Sequence, residues 1–266
     1  MPKVTTLKKL KRLYLLSFDD ENFESIYLTE DCIVKFMLSK GKNLTSKEVE
    51  ELRKFASYSK GKNLAIYYLS FKTRTKKEVE NYLLTQEIPT TDIEQILLEL
   101  EKIHLINDQA YCQRYIETQL TLENYGPYQI LQKLKLKGLD EELINEQLLS
   151  LFDESKEFKI AHKLAEKVIK AKSHQLPFKQ LKIKISQALV AKGFSYSMAS
   201  QVLDDLELVA DEDNENILLE KEAEKVYQRL SRRYEGYNLK QRMSQALGRK
   251  GFDWSLISDI LSHYDF

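Results

Sequence analysis

The chain has 266 residues, of which 42% are hydrophobic and 31% are charged, a composition typical of a folded protein with a highly charged surface. Its eight glycines and four prolines are too few for the many turns of a β-sandwich or β-barrel, so those folds are excluded. Lysine and arginine together number 41, as do aspartate and glutamate, and this balance neither favours nor excludes an anionic partner.

The spacing of the cysteines and the length of the apolar segments indicate the cellular compartment of the protein. Cys32 and Cys112 have no partner at a spacing typical of a metal site or a disulfide framework, which indicates a reducing compartment. The N-terminal apolar stretch is short and interrupted and is followed by no signal-peptide cleavage site. No uncharged apolar run approaches the ~20 residues of a membrane-spanning helix. We therefore expect a cytoplasmic protein without a membrane partner.

The N-terminal region differs from the rest of the chain. Residues 12–18 and 24–28 are rich in Tyr, Leu and Phe and flank a polar turn, which predicts a β-hairpin. Helices are expected after it at about 30–39 and 46–59, and Thr45 with Glu48 three residues later predicts a capping box. Residues 1–60 are accordingly assigned to an N-terminal module of a hairpin and helices.

The remaining sequence repeats itself. The segment ISQALVAKGFSYSMASQVL from Ile185 is followed, at an offset of 58 residues, by MSQALGRKGFDWSLISDIL from Met243. Looser copies run from Ile130 and from Val79, and every copy carries apolar residues with helical spacing. We predict an all-α, elongated tandem array of three-helix repeats at residues 61–108, 109–154, 155–210 and 211–266.

A Lys-Gly turn recurs in three of the four repeats. Glycine ends a helix by adopting a left-handed conformation, and the apolar residue after it can fold back onto the helix. In the first repeat Glu87 replaces the glycine, so we expect that turn to be strained or closed differently. The predicted glycines are Gly138, Gly193 and Gly251, the leucines they face are Leu134, Leu189 and Leu247, and the following helix caps are Asp140, Ser195 and Asp253.

Motifs that carry catalytic chemistry are missing from the sequence. It contains no Gly-rich phosphate loop, no His-Glu-x-x-His and no Cys-x-x-Cys, and its four histidines are scattered. We therefore predict no enzyme, no metal and no cofactor. Gly248 to Gly251 resembles the GxxG loop with which KH domains clamp nucleic acid. Only the second of these glycines recurs, in the second and third repeats, which favours the helix-ending turn.

Charge alternates along the second half of the chain. Residues 159–192 contain nine lysines and one acid, and residues 225–250 contain eight basic residues and one acid. Between them, residues 204–215 contain seven acids and no base. Two interpretations stay open, a solvated helix face and a surface for a polyanion or an acidic partner. Nucleic-acid binding by such a face would weaken steeply with salt.

Three segments resemble the RecX family. AIYYLSFKTRTKKEV from Ala65 resembles that family's A-x-x-x-L-x-x-R-x-R-S-x-x-E-L, with Lys72 at its first Arg and Thr75 at its Ser. LINDQAY from Leu105 resembles the junction Leu-Ile-Asp-Asp-x-x-Phe/Tyr, with Asn107 at its first Asp. The stretch from Gly126 resembles G-P-x-x-I-x-x-x-L-x-x-K-G-I. The four-unit layout with an N-terminal extension resembles the long form found in Gram-positive bacteria.

The resemblance implies a regulator of the RecA recombinase. Such a protein binds the RecA–DNA filament and mostly inhibits the ATPase, strand exchange and filament growth of RecA in recombination, DNA repair and the SOS response. We expect a monomer whose repeats span adjacent RecA protomers, with basic residues meeting acidic RecA surface or the phosphates of single- or double-stranded DNA. The residues predicted for these contacts are Lys72, Arg74, Lys76, Lys77, Arg114, Lys133, Lys137, Lys192, Arg232, Arg233, Arg249 and Lys250. One alternative is a RecA-independent DNA-binding protein with repeats that resemble helix-turn-helix readers, and another is a helical scaffold for some other protein.

Overall fold

The computed structural model describes residues 1–264 and 266 of the chain. The N-terminal region contains strands β1 (Val4–Lys9), β2 (Tyr14–Phe18) and β3 (Ile26–Leu28), followed by α1 (Glu30–Lys35) and α2 (Ser46–Phe71). The helices that follow are α3 (Lys76–Thr85), α4 (Thr90–Lys102), α5 (Asp108–Leu122), α6 (Pro127–Leu136), α7 (Glu141–Leu151), α8 (Glu154–Lys172), α9 (Phe178–Ala191), α10 (Tyr196–Asp205), α11 (Glu212–Leu230), α12 (Gly236–Arg249) and α13 (Trp254–Ile260). The predicted all-α class with a small N-terminal sheet is confirmed.

The described residues form two compact units. One consists of Met1–Arg114 and Leu134–Leu143, and the other of Tyr115–Lys133 and Ile144–Phe266.

The helices of the described residues include none with the length and apolar character of a membrane-spanning segment.

The N-terminal sheet has three antiparallel strands in the order β1-β2-β3. The predicted hairpin is confirmed as β2 and β3, in which Tyr14 pairs with Leu28 and Leu16 with Ile26. Strand β1 was not predicted. Only Val4 of its six residues is buried, so it lacks the apolar alternation that marks a half-buried strand. It is held instead by backbone pairing to β2.

The second predicted helix was expected to end at about residue 59, and this was wrong, because α2 runs unbroken from Ser46 to Phe71. Gly61, in its middle, is buried where α2 approaches α4, and a Cβ there would lie 2.8 Å from Cδ1 of Ile96. A single helical glycine costs only about 1 kcal/mol, so it does not end the helix. The predicted capping box is confirmed, since the Thr45 hydroxyl accepts from the Glu48 N–H and the Glu48 carboxylate accepts from the Thr45 N–H.

Each unit has buried cores made by helix packing. In the first unit, α3, α4 and the C-terminal half of α2 bury Ala65, Leu83 and Ile96. In the second unit, α8, α9 and α10 pack together, as do α11, α12 and α13. Positions related by the offset of 58 residues have the same environment in the two sets, because Leu189 and Leu247 are both fully buried. The sequence repeat is therefore a structural repeat.

Candidate interaction surface

The recurring turn has the predicted geometry. Gly138, Gly193 and Gly251 have φ angles of +81°, +94° and +90°, in the left-handed region. The N–H of Phe194 donates to the carbonyl of Leu189 at 3.1 Å, and Leu139 and Leu134 are joined in the same way. The predicted caps are also confirmed, because side-chain oxygens of Asp140, Ser195 and Asp253 accept hydrogen bonds from backbone N–H groups two or three residues later.

The first repeat closes its turn without glycine. Glu87 takes a φ of +58°, which is strained for a residue with a side chain. The N–H of Ile88 still donates to the carbonyl of Leu83 at 3.2 Å, as the corresponding N–H does in the second and third repeats. The turn is thus both strained and closed in the common way.

The turns of the second and third repeats also pack against the preceding repeat, a contact that was not predicted. In the first unit, the Thr75 hydroxyl at the start of α3 donates to the carbonyl of Lys137 at 2.7 Å. In the second unit, the Gly126 N–H at the start of α6 donates to the carbonyl of Lys192 at 2.8 Å. Donors at one helix start therefore satisfy carbonyls left open at the end of another helix. The Gly126-Pro127 pair in the sequence was the signal from which the contact at the start of α6 could have been predicted.

In the first unit, several of the predicted contact lysines are paired with carboxylates. Lys137 lies 3.0 Å from Glu78, and Lys76 lies 2.9 Å from Glu101. Lys77 is exposed and lies 2.9 Å from Glu80. These lysines have partners within the chain, which reduces the charge they offer to a ligand.

The pKa values of the Glu78–Lys137 pair reflect this contact. Burial acts to raise the pKa of Glu78, but the Thr75 N–H and the Lys137 ammonium outweigh it, and the pKa is lowered. The hydrogen bond to Glu78 raises the pKa of Lys137. Both groups are therefore more firmly charged at neutral pH than they would be alone.

Three other predicted residues lie over tyrosine rings. The Arg74 guanidinium is 4.1 Å from the centre of the Tyr68 ring. Lys133 and Lys192 both approach the Tyr125 ring, at 4.5 Å and 5.1 Å from its centre. Such cation–π contacts hold the side chains against the protein surface.

The fourth repeat contains both paired and exposed predicted residues. Lys250 pairs with Glu222 at 2.6 Å, and Gly248, two residues before it, is covered by the Trp254 ring. Arg249 is exposed and donates from Nε to the carbonyl of Gln245 at 3.3 Å. Arg232 and Arg233 are exposed in the loop between α11 and α12, and neither forms an ion pair with a described residue.

The last two predicted residues lie in the first unit. Lys72 is exposed at the end of α2, and Arg114 is exposed on α5. The exposed arginines Arg232, Arg233 and Arg249 all belong to the fourth repeat, the first two before the start of α12 and the third at its end. Arg242 of α12, which was not predicted, belongs to the same repeat and lies 4.0 Å from the Tyr234 ring centre. The excess of basic residues over residues 225–250 was the sequence signal for it.

Metal-ligating side chains do not cluster in the described part of the chain, where no three His, Cys, Asp or Glu residues are placed to share an ion. Among the predicted contact residues, Arg114, Arg232, Arg233 and Arg249 are exposed arginines. A guanidinium presents several N–H donors in a fork that fits carboxylates and phosphates.

Comparison with known proteins identifies the family. The RecX first three-helix domain matches residues 62–100 and the second matches residues 107–148. The RecX third three-helix domain matches twice, at 155–203 and 215–261. Regulatory protein RecX of Lactococcus lactis subsp. lactis (strain IL1403) is 47% identical over 270 residues, covering 100% of this chain and 99% of the relative. This chain belongs to the RecX family.

Other RecX proteins show the same likeness. Regulatory protein RecX of Streptococcus sanguinis (strain SK36) is 45% identical over 262 residues, covering 98% of this chain and 99% of the relative. A crystal structure of regulatory protein RecX superposes with a TM-score of 0.64 at 28% identity, covering 77% of this chain and 100% of that one. RecX from Lactobacillus salivarius gives a TM-score of 0.54 at 34% identity, covering 57% and 98%. The double match of the third domain corresponds to the repeat with the 58-residue offset.

Proposed function

We propose that this RecX-family chain binds the RecA–DNA filament and restrains the ATP hydrolysis, strand exchange and filament growth of RecA. It acts in recombination, DNA repair and the SOS response, in the cytoplasm and without catalysing a reaction of its own. The observation that carries the proposal is the full-length similarity to proteins named regulatory protein RecX. The RecA filament is the partner that the sequence motifs of this family imply.

The repeats fit a partner that is itself a repeating polymer. Each three-helix repeat is a short module, and modules in tandem can present similar surfaces to successive subunits. A filament of RecA offers such subunits at regular spacing. We propose that successive repeats contact successive RecA protomers, with one chain acting as a monomer.

The exposed arginines are the best candidates for the contacts. Arg232, Arg233 and Arg249 project into solvent, whereas Lys76, Lys137 and Lys250 are held by carboxylates of the same chain. Releasing a lysine from its own partner costs part of what a new contact contributes. We therefore rank the arginines above the lysines as residues that meet acidic RecA surface or DNA phosphate.

A titration of RecA activity tests the proposal. Purified chain is added to RecA on single-stranded DNA, and ATP hydrolysis and strand exchange are measured over a range of salt concentrations. We expect hydrolysis to fall at substoichiometric amounts of the chain, because one bound molecule affects a growing filament of many subunits. Unchanged hydrolysis and strand exchange across all salt conditions would refute the proposal.

RecA-independent DNA binding is the second candidate function. It is favoured by the exposed arginines of the fourth repeat, since guanidinium groups also bind phosphates. It predicts tight binding to duplex DNA in the absence of RecA and no substoichiometric effect on hydrolysis. The same titration, accompanied by a duplex-binding measurement, separates the two functions.

A further inference from the structure

The first unit contains a cavity of about 510 Å³ between the loop that joins β1 to β2 and one face of α2. Two cations, Arg12 and Lys60, line it, and none of the described lining residues is acidic. No residue proposed above for RecA contacts lies in this cavity. The charged side chains that line the cavity are thus all positive, although the chain as a whole has a formal net charge of +0.

One face of α2 borders the cavity and carries exposed aromatic rings. Lys60, Asn63, Tyr67 and Phe71 follow one another at helical spacing and are all exposed, whereas Ala65 on the opposite face is fully buried. Tyr67 and Phe71 are 44% and 66% exposed, so neither ring is packed into the core. Their rings meet edge to face with centres 4.9 Å apart. The face therefore offers an aromatic platform next to solvent.

The loop opposite this face, residues 10–13, contains Lys11 and Arg12. Residues 1–18 contain no acid, and the loop is closed by the N–H of Leu10, which donates to the carbonyl of Leu13 at 2.7 Å. The Arg12 guanidinium lies over one face of the Tyr67 ring, 4.5 Å from its centre, so a cation is held on the aromatic platform. The cations of this segment are Lys3, Lys8, Lys9, Lys11 and Arg12.

We propose that this groove binds single-stranded DNA, with bases stacked on Phe71 and Tyr67 and phosphates contacting Arg12 and Lys60. Aromatic platforms beside a basic track are the combination that binds unpaired strands without sequence preference, because every base has a stacking face. A duplex hides those faces. An acidic peptide would satisfy the cations but would leave the paired rings without a partner. The proposal deepens the second candidate function, RecA-independent DNA binding, by placing an unpaired strand in this groove, and it does not rest on the regulation of RecA.

Binding to the full-length chain without RecA tests this proposal directly. The probe is a fluorescent oligothymidylate of about 20 nucleotides, compared with a duplex of the same length by fluorescence anisotropy. We expect the single strand to bind more tightly than the duplex. The double variant Tyr67→Leu with Phe71→Leu should bind the single strand about tenfold or more weakly, because the stacking surface is lost while apolar volume is kept.

Matched variants separate stacking from a general loss of fold or charge. Tyr196→Leu removes a ring that is 76% exposed on α10 of the other unit and should leave single-strand affinity unchanged. Arg12→Gln should weaken binding and reduce the salt slope by about 0.7, the value for one phosphate contact on a single strand. Circular dichroism and urea unfolding of each variant show whether the helices are retained.

Photochemical crosslinking locates the bound strand independently of the variants. Trypsin cleaves after Lys62 and Lys72, so one peptide of residues 63–72 carries both rings. Ultraviolet irradiation of the complex should crosslink the oligothymidylate to this peptide. Equal affinity for the duplex, full affinity in the double variant, or crosslinks confined to other peptides would overturn the proposal. So would binding of an acidic peptide or an anionic vesicle without binding of the oligonucleotide. A failure of this proposal would leave the proposed regulation of RecA standing, because the RecA titration measures a different property.

Discussion

Gly126 and Lys192 are joined by a backbone hydrogen bond of 2.8 Å, in which the N–H of Gly126 donates to the carbonyl of Lys192. The next residue, Gly193, accepts from the N–H of Tyr128 at 3.1 Å. A Cβ at Gly126 would lie 2.6 Å from the Gly193 carbonyl oxygen, so the two backbones meet without side chains between them. The Lys-Gly turn therefore ends a helix and also fastens its repeat to the preceding one.

Gly193→Ala should destabilise the second unit strongly. At a φ of +94° an added Cβ is strained, and it would also collide with Gln129, whose Cγ would lie 2.7 Å away. The left-handed conformation costs about 1–2 kcal/mol and the overpacking about 1–3 kcal/mol, so we expect a loss of about 3 kcal/mol. Urea unfolding followed by circular dichroism measures the loss.

Gly236→Ala is the matched control. Gly236 also has a positive φ, +57°, but no atom lies within 4 Å of the position of an added Cβ. Only the conformational cost of about 1 kcal/mol should appear. If the two variants lose equal stability, the packing of the turn against the preceding repeat contributes nothing beyond backbone conformation.

The Glu78–Lys137 pair should make part of the stability depend on acid. The folded pKa of Glu78 lies below its ordinary value of 4.5, since the Thr75 N–H and Lys137 outweigh the effect of burial. A carboxyl with a lowered folded pKa contributes stability that is present above the unfolded pKa and is lost as the pH falls through the folded pKa. Unfolding free energies measured from pH 6 to pH 3 should show this loss in the wild-type chain.

Variants of the pair test the cause. Glu78→Gln should flatten the acid-dependent loss, and Lys137→Met should lower stability at neutral pH by about 1 kcal/mol, a value typical of a partly exposed ion pair. The double variant should lose less than the sum of the single variants, because the pair is removed only once. Strict additivity would show that the two side chains do not interact in solution.

Charge reversal at the loop between α11 and α12 should weaken the inhibition of RecA. Arg232→Glu with Arg233→Glu changes two exposed cations that form no ion pair with described residues. We expect the concentration for half-inhibition of RecA-dependent ATP hydrolysis to rise about tenfold, equivalent to about 1.4 kcal/mol of binding free energy. The same titration with wild-type chain gives the reference.

Lys76→Gln with Lys77→Gln is the comparison for this charge reversal. Both lysines are already paired within the chain, with Glu101 and Glu80. Their replacement should change the half-inhibiting concentration by less than the arginine variant does. A larger effect from the lysine pair would place the RecA contact in the first repeat instead.

The two thiols should be unreactive in the folded chain. Cys32 and Cys112 are both fully buried, and burial, aided by the Asp108 carboxylate, raises the pKa of Cys112 to about 11. Thiolate is the reactive form, so little of it is present at neutral pH. A chromogenic disulfide reagent should react with neither thiol in buffer and with both in guanidinium chloride. Rapid reaction of one thiol in buffer would contradict the buried position.

Much of the fold could be predicted from the sequence because its signals are local. The helix-ending glycines, the caps and the buried stripes depend on residues within one or two turns of each other, as Leu189 and Phe194 do. Strand β1 was missed because its pairing with β2 is formed by the backbone and leaves no apolar pattern. The continuity of α2 was missed because Gly61 was not recognised as a contact point with α4.

The candidate surface was harder to predict than the fold. Sequence shows which residues are basic, but not which of them have partners far along the chain, such as Lys137 with Glu78 and Lys250 with Glu222. The first pair joins two repeats and the second joins two helices of the fourth repeat, so both depend on how helices approach each other. The exposure of Tyr67 and Phe71 was equally hidden, because aromatic residues at helical spacing usually indicate a core.

The turn of the first repeat offers a substitution that should stabilise the chain. Glu87 adopts a φ of +58° at the position where the other repeats have glycine, and it is exposed, so its side chain has no buried contact to lose. Glu87→Gly relieves the left-handed strain of about 1–2 kcal/mol. Part of this gain is offset because glycine loses more backbone entropy on folding than glutamate does. The net effect should be a gain of about 0.5–1 kcal/mol in unfolding free energy.

Glu94→Gly provides the opposite control for this substitution. Glu94 is exposed in the interior of α4, where glycine should cost about 1 kcal/mol. Urea unfolding of both variants should therefore move the midpoint in opposite directions. If Glu87→Gly also destabilises the chain, the turn of the first repeat is not strained, and Glu87 holds its conformation through contacts that the glycine turns do not need.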